Sequence, residues 1–418
     1  MEHHRWKYRE GFAAALGIAL TGILLQLSVG NIEKAVFVFP VNLLTGILFI
    51  ALLLFSYFLF RKKQLIQWLA SVYTTIPAIA LLVFLCIVLG ILPQFPLETG
   101  EVHLPRHLFT SIGWFQMTSS WPFLLSCFYF LTILGFTILK RTKRKPSWRD
   151  IGFYLNHLGL FTVLLAGILG NADTDRLTIS IQEGATERIA SDRMGKQYEM
   201  PFAVRLDSFI IDEYAPRLLL IENRSRKALP VSHPESYMIE GVGKGTTLAG
   251  VVIKMIDYLP HAAIIRDSSA VKMIPVPALM KGAVEAIKVE AGETGSEPSV
   301  TGWISSGSYL FSPVALPLDA TKSIAVSAPE VKKYRSYVTV YTKAEEHRNA
   351  VIEVNKPLSM GEWKIYQYSY DKTKGKYSDT SIFEVVRDPW LGAVYTGIFM
   401  LMAGALFLFI SGPQKKRS

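Results

Sequence analysis

Histidine is the residue type with most to offer chemically in this chain, and the surroundings of His157 suggest a task for it. It lies in Asn156-His157-Leu158-Gly159-Leu160, within a run, 151–170, that holds no Asp, Glu, Lys or Arg. An ionisable side chain in so apolar a run is costly and usually functional. On a helix, Phe153 and Phe161 fall four residues to either side of it and share its face. An imidazole beside aromatic side chains is a reasonable axial ligand for haem iron. The alternative is a neutral histidine hydrogen-bonded to another helix. Either way, a helical rise of about 1.5 Å per residue puts His157 roughly 8–10 Å into its helix.

Other candidates carry less. His103 and His107 are spaced i, i+4, which on a helix would put both on one face. Pro105 between them disfavours a regular helix, and no third ligand is near. His233, His261 and His347 are scattered and read as ordinary surface or core residues, and His3 and His4 as solvated ones. The two cysteines, Cys86 and Cys127, both fall in apolar runs and read as small hydrophobes. Without a Cys-x-x-Cys there is no thiol-exchange motif. Phosphate-binding loops, nucleophile elbows and His-Glu-x-x-His zinc motifs are missing too, which argues against a hydrolase or a nucleotide-driven pump.

The elements that must position His157 are membrane helices. Half of the 418 residues are hydrophobic and only 19% are charged, below the roughly 25% usual for soluble domains. A bilayer-crossing helix needs roughly 20 mostly apolar residues. Six segments qualify, at 12–30, 39–60, 74–94, 121–139, 151–170 and 391–411, all without Asp, Glu, Lys or Arg. The first reads as a span rather than a signal peptide, since no small-residue cleavage site follows it and a second span comes soon after.

Charge sets the orientation. Arg5, Lys7 and Arg9 precede span one, and Arg61, Lys62 and Lys63 follow span two. Lys140, Arg141, Lys143, Arg144, Lys145 and Arg149 link spans four and five, and Lys415, Lys416 and Arg417 close the chain. The two short opposite loops offer only Lys34 and Arg106. The positive-inside rule then places both termini in the cytoplasm and residues 171–388 outside. That outer stretch holds 27 Lys and Arg against 28 Asp and Glu, so the net charge of +10 resides at the cytoplasmic membrane surface. It faces the anionic lipid bilayer there, and nucleic acid is not the expected partner.

The expected fold class is therefore a mixed membrane protein, with six transmembrane α-helices and a large β-rich extracytoplasmic domain between helices five and six. The domain reads as strands at Arg176–Gln182, Val251–Tyr258, Ser336–Lys343, Ala350–Asn355, Trp363–Tyr370 and Ser381–Val386, rich in Val, Ile, Thr and Tyr. The Gly-, Ser- and Glu-rich stretch 291–308 reads as a loop. Spans one and two read as a tight pair. The organisation is then an extra N-terminal transmembrane pair (1–63), helices three to five (64–170), the outer domain (171–388), and a final helix with a basic tail (389–418).

Three stretches resemble the ResB (CcsB) family of System II cytochrome c biogenesis. They are Thr118-Ser119-Ser120-Trp121-Pro122-Phe123; Phe153 through Leu160; and Val354-Asn355-Lys356-Pro357-Leu358 with Trp363 through Asp371 and Arg387-Asp388-Pro389-Trp390. The resemblance covers roughly residues 74–418, and spans one and two are additional to it. It implies a subunit, non-catalytic or co-catalytic, of a holocytochrome c synthase in the bacterial cytoplasmic membrane. Such a subunit works with a CcsA-like membrane protein to carry haem b outward and join it to apocytochrome c. It implies that His157 is a haem axial ligand, with Phe153 and Phe161 beside the cofactor. The Trp-rich haem-presenting motif of CcsA is not in this chain, and no group for reducing haem or thiols is evident. Two rival readings are a membrane-anchored scaffold or peptide-binding protein with no haem role, for which His157 would be replaceable, and a transporter permease, for which the spans lack broken helices or paired polar residues.

Overall fold

The computed structural model describes residues 6–95, 108–143, 147–148, 150–267, 271–342 and 347–411. The chain divides into two compact units. One comprises Met1–Arg176, Asp192–Lys196 and Val386–Ser418, the other Leu177–Ser191 and Gln197–Val385.

Among the described residues the first unit holds six helices long and apolar enough to cross a membrane, as in a multi-pass membrane protein. Spans one to six are Tyr8–Val29, Val41–Phe60, Val72–Ile91, Trp121–Arg141, Asp150–Gly170 and Leu391–Ser411. Span four is the most enclosed, burying Ser126, Cys127, Phe130, Leu131, Ile133, Leu134, Phe136 and Ile138. The peripheral spans reverse the usual amphipathic pattern. Span one buries Gly11, Ala15, Gly22 and Gln26, while Phe12, Leu16, Leu20 and Leu24 face outward. Where lipid is as apolar as leucine, close backbone approach between small residues holds helices together.

That rule corrects the expected pairing of spans one and two. Span one packs on spans three and four, and span two on spans four and five. A Cβ on Gly22 would meet Pro122 Cα at 2.5 Å, and one on Gly46 would meet Leu169 Cδ1 at 2.5 Å. The small residues of each N-terminal span thus mate with the central helices.

Spans five and six form the closest pair. Gly152 and Gly159 of span five and Gly397 and Gly404 of span six each repeat at seven residues. A Cβ on Gly159 would lie 2.8 Å from the Gly397 carbonyl oxygen, and one on Gly404 would lie 2.5 Å from Asn156 Nδ2.

The second unit is antiparallel β. Its largest sheet has eight strands, in the order His347–Glu353, Val331–Thr342, Gln197–Glu213, Thr186–Ser191, Asp175–Gln182, Thr380–Arg387, Trp363–Tyr370 and Leu358–Met360. The first and last of these are consecutive in the chain and joined by the turn 354–357, with Asn355 in the left-handed region at φ 64°. Four residues span at most about 14 Å, so the sheet curls until its two ends nearly meet. Leu206, Val338, Ile352, Leu358, Ile365 and Phe383 share the enclosed core. A second sheet runs Val300–Ile304, Val284–Glu293, Val251–Arg266 and Gly245–Leu248, with Val271–Pro275 added on Val251–Arg266. A third runs Leu316–Pro317, Lys322–Val326, Arg217–Glu222 and Ser236–Met238, and packs its Leu218, Leu220 and Ile324 on Ile253, Ile287 and Ile304 of the second.

All six expected strands are present, and Trp363–Tyr370 has the expected bounds. The expected loop 291–308 is mostly a hairpin, because Ile304 is fully buried and Val300–Ile304 pairs with Ile287–Ala291.

Candidate functional site

His157 sits seven residues into span five, about 10 Å along the axis. Its Nδ1 is 2.9 Å from the carbonyl oxygen of Phe153. A carbonyl can only accept, so Nδ1 carries the proton and Nε2 keeps a lone pair. This is the way a metal-ligating histidine is commonly set, its second nitrogen tied to a backbone acceptor. The ring also stacks on Phe153, with centroids 3.8 Å apart and planes 27° off parallel. The side chain is half-buried.

Phe153 is itself held from its other neighbours. The Arg141 guanidinium lies 5.2 Å from its ring centroid. Arg141, in the last turn of span four, also pairs with Asp150 in the first turn of span five, Nη2 to Oδ1 at 2.5 Å and Nε to Oδ1 at 2.8 Å. The chain from Asp150 through Arg141 and Phe153 to His157 links the spans and sets the imidazole.

Phe161 is placed differently. It stacks on Phe49 of span two, centroids 6.4 Å apart, and packs into the clusters formed by spans two, three, four and five. It braces the helix carrying His157, whereas Phe153 is the ring that touches the imidazole.

A second polar centre lies at the other end of span five. Asp173 is buried, its Oδ1 accepting from the backbone N–H of Phe39 at 2.7 Å. Its Oδ2 accepts from Asn42 Nδ2 at 2.7 Å and from Trp390 Nε1 at 2.7 Å. Asn42 Nδ2 also donates to the Leu169 carbonyl, and Lys34 Nζ donates to the Thr174 carbonyl at 2.6 Å. Beside this centre Arg387 pairs with Asp175 at 3.1 Å. One carboxylate therefore gathers spans two, five and six, and three N–H donors satisfy it. The arrangement is structural. Sequence reasoning did not single out Asp173, although an acid three residues past an uncharged span was a usable signal.

The ResB-like family model matches residues 143–237 and 312–382. Over these two segments the chain is similar to the ResB-like family. At family level the match supports a role related to cytochrome c biogenesis. No curated protein matches the chain.

The first matched segment contains span five, with Phe153, His157, Phe161 and Asp173, and four strands of the β domain. The second contains the strands from Leu316–Pro317 to Trp363–Tyr370 and the start of Thr380–Arg387, about half of the curled sheet. Spans one to four up to 142, span six, and the stretch 238–311 that builds the whole of the second sheet lie outside the match. The match is thus narrower than the resemblance over 74–418.

Of the remaining histidines, His3, His4, His103 and His107 lie outside the described residues. His233 is exposed on a loop, and His347 begins a strand beside Tyr341. His261 carries a buried Nδ1 without a hydrogen-bond partner, on the long strand Val251–Arg266. Among the described residues no three His, Cys, Asp or Glu side chains come together as a metal site. Cys127 is buried in span four and Cys86 is exposed on span three.

Proposed function

We propose that this ResB-like chain is a haem-handling subunit of a System II cytochrome c synthase. The observation that carries the reading is the contact of His157 Nδ1 with the Phe153 carbonyl. With Nδ1 committed to the Phe153 carbonyl at 2.9 Å, Nε2 is free to offer a lone pair to iron. The stacked Phe153 fixes the ring plane. The imidazole is half-buried rather than enclosed.

On this reading haem b is cargo. Nε2 of His157 supplies one axial ligand, and a histidine of a CcsA-like membrane partner supplies the other. The charge pattern orients the spans with both termini cytoplasmic and the β domain outside the bacterial cytoplasmic membrane. His157 then lies nearer the cytoplasmic side, where haem would enter. The β domain meets apocytochrome c or braces the partner, and thioether formation takes place where the partner presents the haem.

The test is a haem spectrum of the chain co-purified with its CcsA-like partner. His157→Ala should lose haem, and added imidazole should restore it. Full haem occupancy in the variant would overturn the ligand role and favour a scaffold without haem.

A further inference from the structure

The β domain holds a cavity of about 520 Å³ that the haem reading does not use. Five segments line it: the end of the strand Gln197–Glu213 with residues 214–216, the stretch 239–241, the strand Val251–Arg266, the strand Val284–Glu293, and the turn 372–377. Lys376 Nζ lies 2.8 Å from Glu285 Oε1 and 3.5 Å from Glu213 Oε2. The Glu213 side chain is only 15% exposed, and those of Glu285 and Lys376 are 28% exposed. One ammonium group therefore serves two carboxylates largely withdrawn from water.

The other charges do not make up the difference. Asp212 and Glu240 also line the cavity, so four carboxylates face it against one lysine. Asp212 is paired with Arg335 at 2.7 Å, and Lys332 lies 5.9 Å from the Tyr214 ring centroid. Glu240, at the exposed rim, is hydrogen-bonded by the phenol of Tyr237. Lys376 is thus shared by Glu213 and Glu285, and among the described residues Glu240 forms no ion pair, so the lining keeps a net negative charge. A partly desolvated carboxylate without a counter-charge is costly, and a bound cation relieves it. Burial above all, and then the nearby Glu285, hold the carboxyl of Glu213 above its ordinary range against the opposing pull of Lys376.

The remaining wall is apolar and aromatic, with Tyr258, Pro216 and Ile239. Volumes of roughly 300–1,000 Å³ accommodate ligands larger than one side chain. The wall also joins two parts of different standing: 211–216 and Lys376 lie in the family-matched segments, whereas 239–241, Tyr258 and Glu285 do not. The ligand preference of this cavity is therefore set jointly by matched and unmatched sequence.

We propose that the cavity binds a lysine- or arginine-bearing stretch of extended polypeptide, the cationic head between Glu213 and Glu240 and the methylene stem along Tyr258, Pro216 and Ile239. The two acids are the electrostatic determinants, and the apolar wall takes the stem as such side chains are usually accommodated. This stands independently of the haem reading.

The experiment uses the full-length chain in detergent and a fluorescent Ala-Lys-Ala-Lys-Ala peptide, followed by anisotropy. The same peptide with acetylated lysines, and one with glutamates in their place, are the controls. The lysine peptide should bind, more weakly as salt rises, and the acetylated peptide should bind about tenfold less well. Glu240→Gln, at the exposed rim, and Glu213→Gln should each weaken binding by about tenfold while keeping the parent's thermal transition. Equal binding of the acetylated peptide, or undiminished binding by the folded Glu240→Gln variant, overturns the proposal. Haem content of the same variants, measured with the CcsA-like partner, separates this outcome from failure of the haem reading.

Discussion

The indole Nε1 of Trp390 donates to Oδ2 of Asp173 at 2.7 Å, closing a contact between residues 217 positions apart in the chain. The sequence Arg387-Asp388-Pro389-Trp390 thereby acquires a physical role. Arg387 pairs with Asp175, Asp388 Oδ1 accepts from the Trp390 backbone N–H at 3.1 Å, and Trp390 locks the start of span six to the end of span five. Trp390→Phe should keep the packing against Gly170 and lose this bond, at about 1–3 kcal/mol. Asp173→Ala should cost more, because Phe39 N–H and Trp390 Nε1 would then lack their acceptor. Thermal unfolding of the detergent-purified chain measures both, and a Trp390→Phe transition equal to the parent's would show the bond to be dispensable.

The glycine seam between spans five and six makes a sharper demand. Gly159→Leu places side-chain atoms where the Gly397 backbone lies, and helix backbones cannot yield as a flexible side chain can. The expected loss is about 1–3 kcal/mol or more, as for an overpacked core. Gly167, on the same helix, has nothing within 4 Å of the point where a Cβ would stand, so Gly167→Ala should be neutral or slightly stabilising. Similar melting behaviour for Gly159→Leu and Gly167→Ala would remove the seam from the account of how these spans associate.

Phe153 and Phe161 separate by role. Phe153→Ala removes the ring against His157 and the surface under Arg141, but its backbone carbonyl still holds Nδ1. Haem occupancy, read by a pyridine haemochromogen assay with the partner present, should fall partially, against complete loss in His157→Ala. Phe161→Ala should act through stability instead, lowering the unfolding temperature with little change in the spectrum of the haem that remains. A spectral change in Phe161→Ala as large as in Phe153→Ala would contradict this division.

Asp379 gives the β domain a pH signature. The ammonium of Lys374, at 2.8 Å and 3.0 Å from its two oxygens, depresses its carboxyl to about 2 from an ordinary 3.8. A carboxyl depressed on folding stabilises fully above its unfolded value, and that contribution is lost as pH falls through its folded value. Asp379→Asn should therefore destabilise at pH 5 and above, by on the order of 1 kcal/mol since Lys374 is substantially exposed. The gap to the parent should close between about pH 4 and pH 2. Unfolding temperatures of parent and variant across that range test the sign, and a gap that widened on acidification would refute it.

Much of this architecture is legible in the sequence. Hydropathy locates the spans because length and absence of charge suffice to define them. Trp363–Tyr370 is legible because its aromatic and β-branched residues alternate across a half-buried surface. The strand Gln197–Glu213 was less visible, because Pro201 and several charges interrupt its run, although Met200, Phe202, Val204 and Leu206 all turn inward on alternate positions. The partners of spans one and two were hidden for another reason. Large apolar residues point away from the bundle, so the informative positions are Gly11, Ala15, Gly22 and Gln26, which hydropathy discounts. His157 could be picked out as an ionisable group in a span. Its bond to the Phe153 carbonyl, and the assembly of Asp173 with Asn42 and Trp390, depend on rotamers and long-range packing that spacing does not encode.

The curl of the eight-stranded sheet also guards its edges. Its two end strands are joined by the short turn 354–357, so the ends of the hydrogen-bonding array are drawn toward each other. An open sheet of that size would offer long bare edges on which an unfolded chain could add as another strand. If the proposed function holds, an unfolded client would find side chains rather than a long open edge on this sheet, and would not be templated into a shared aggregate.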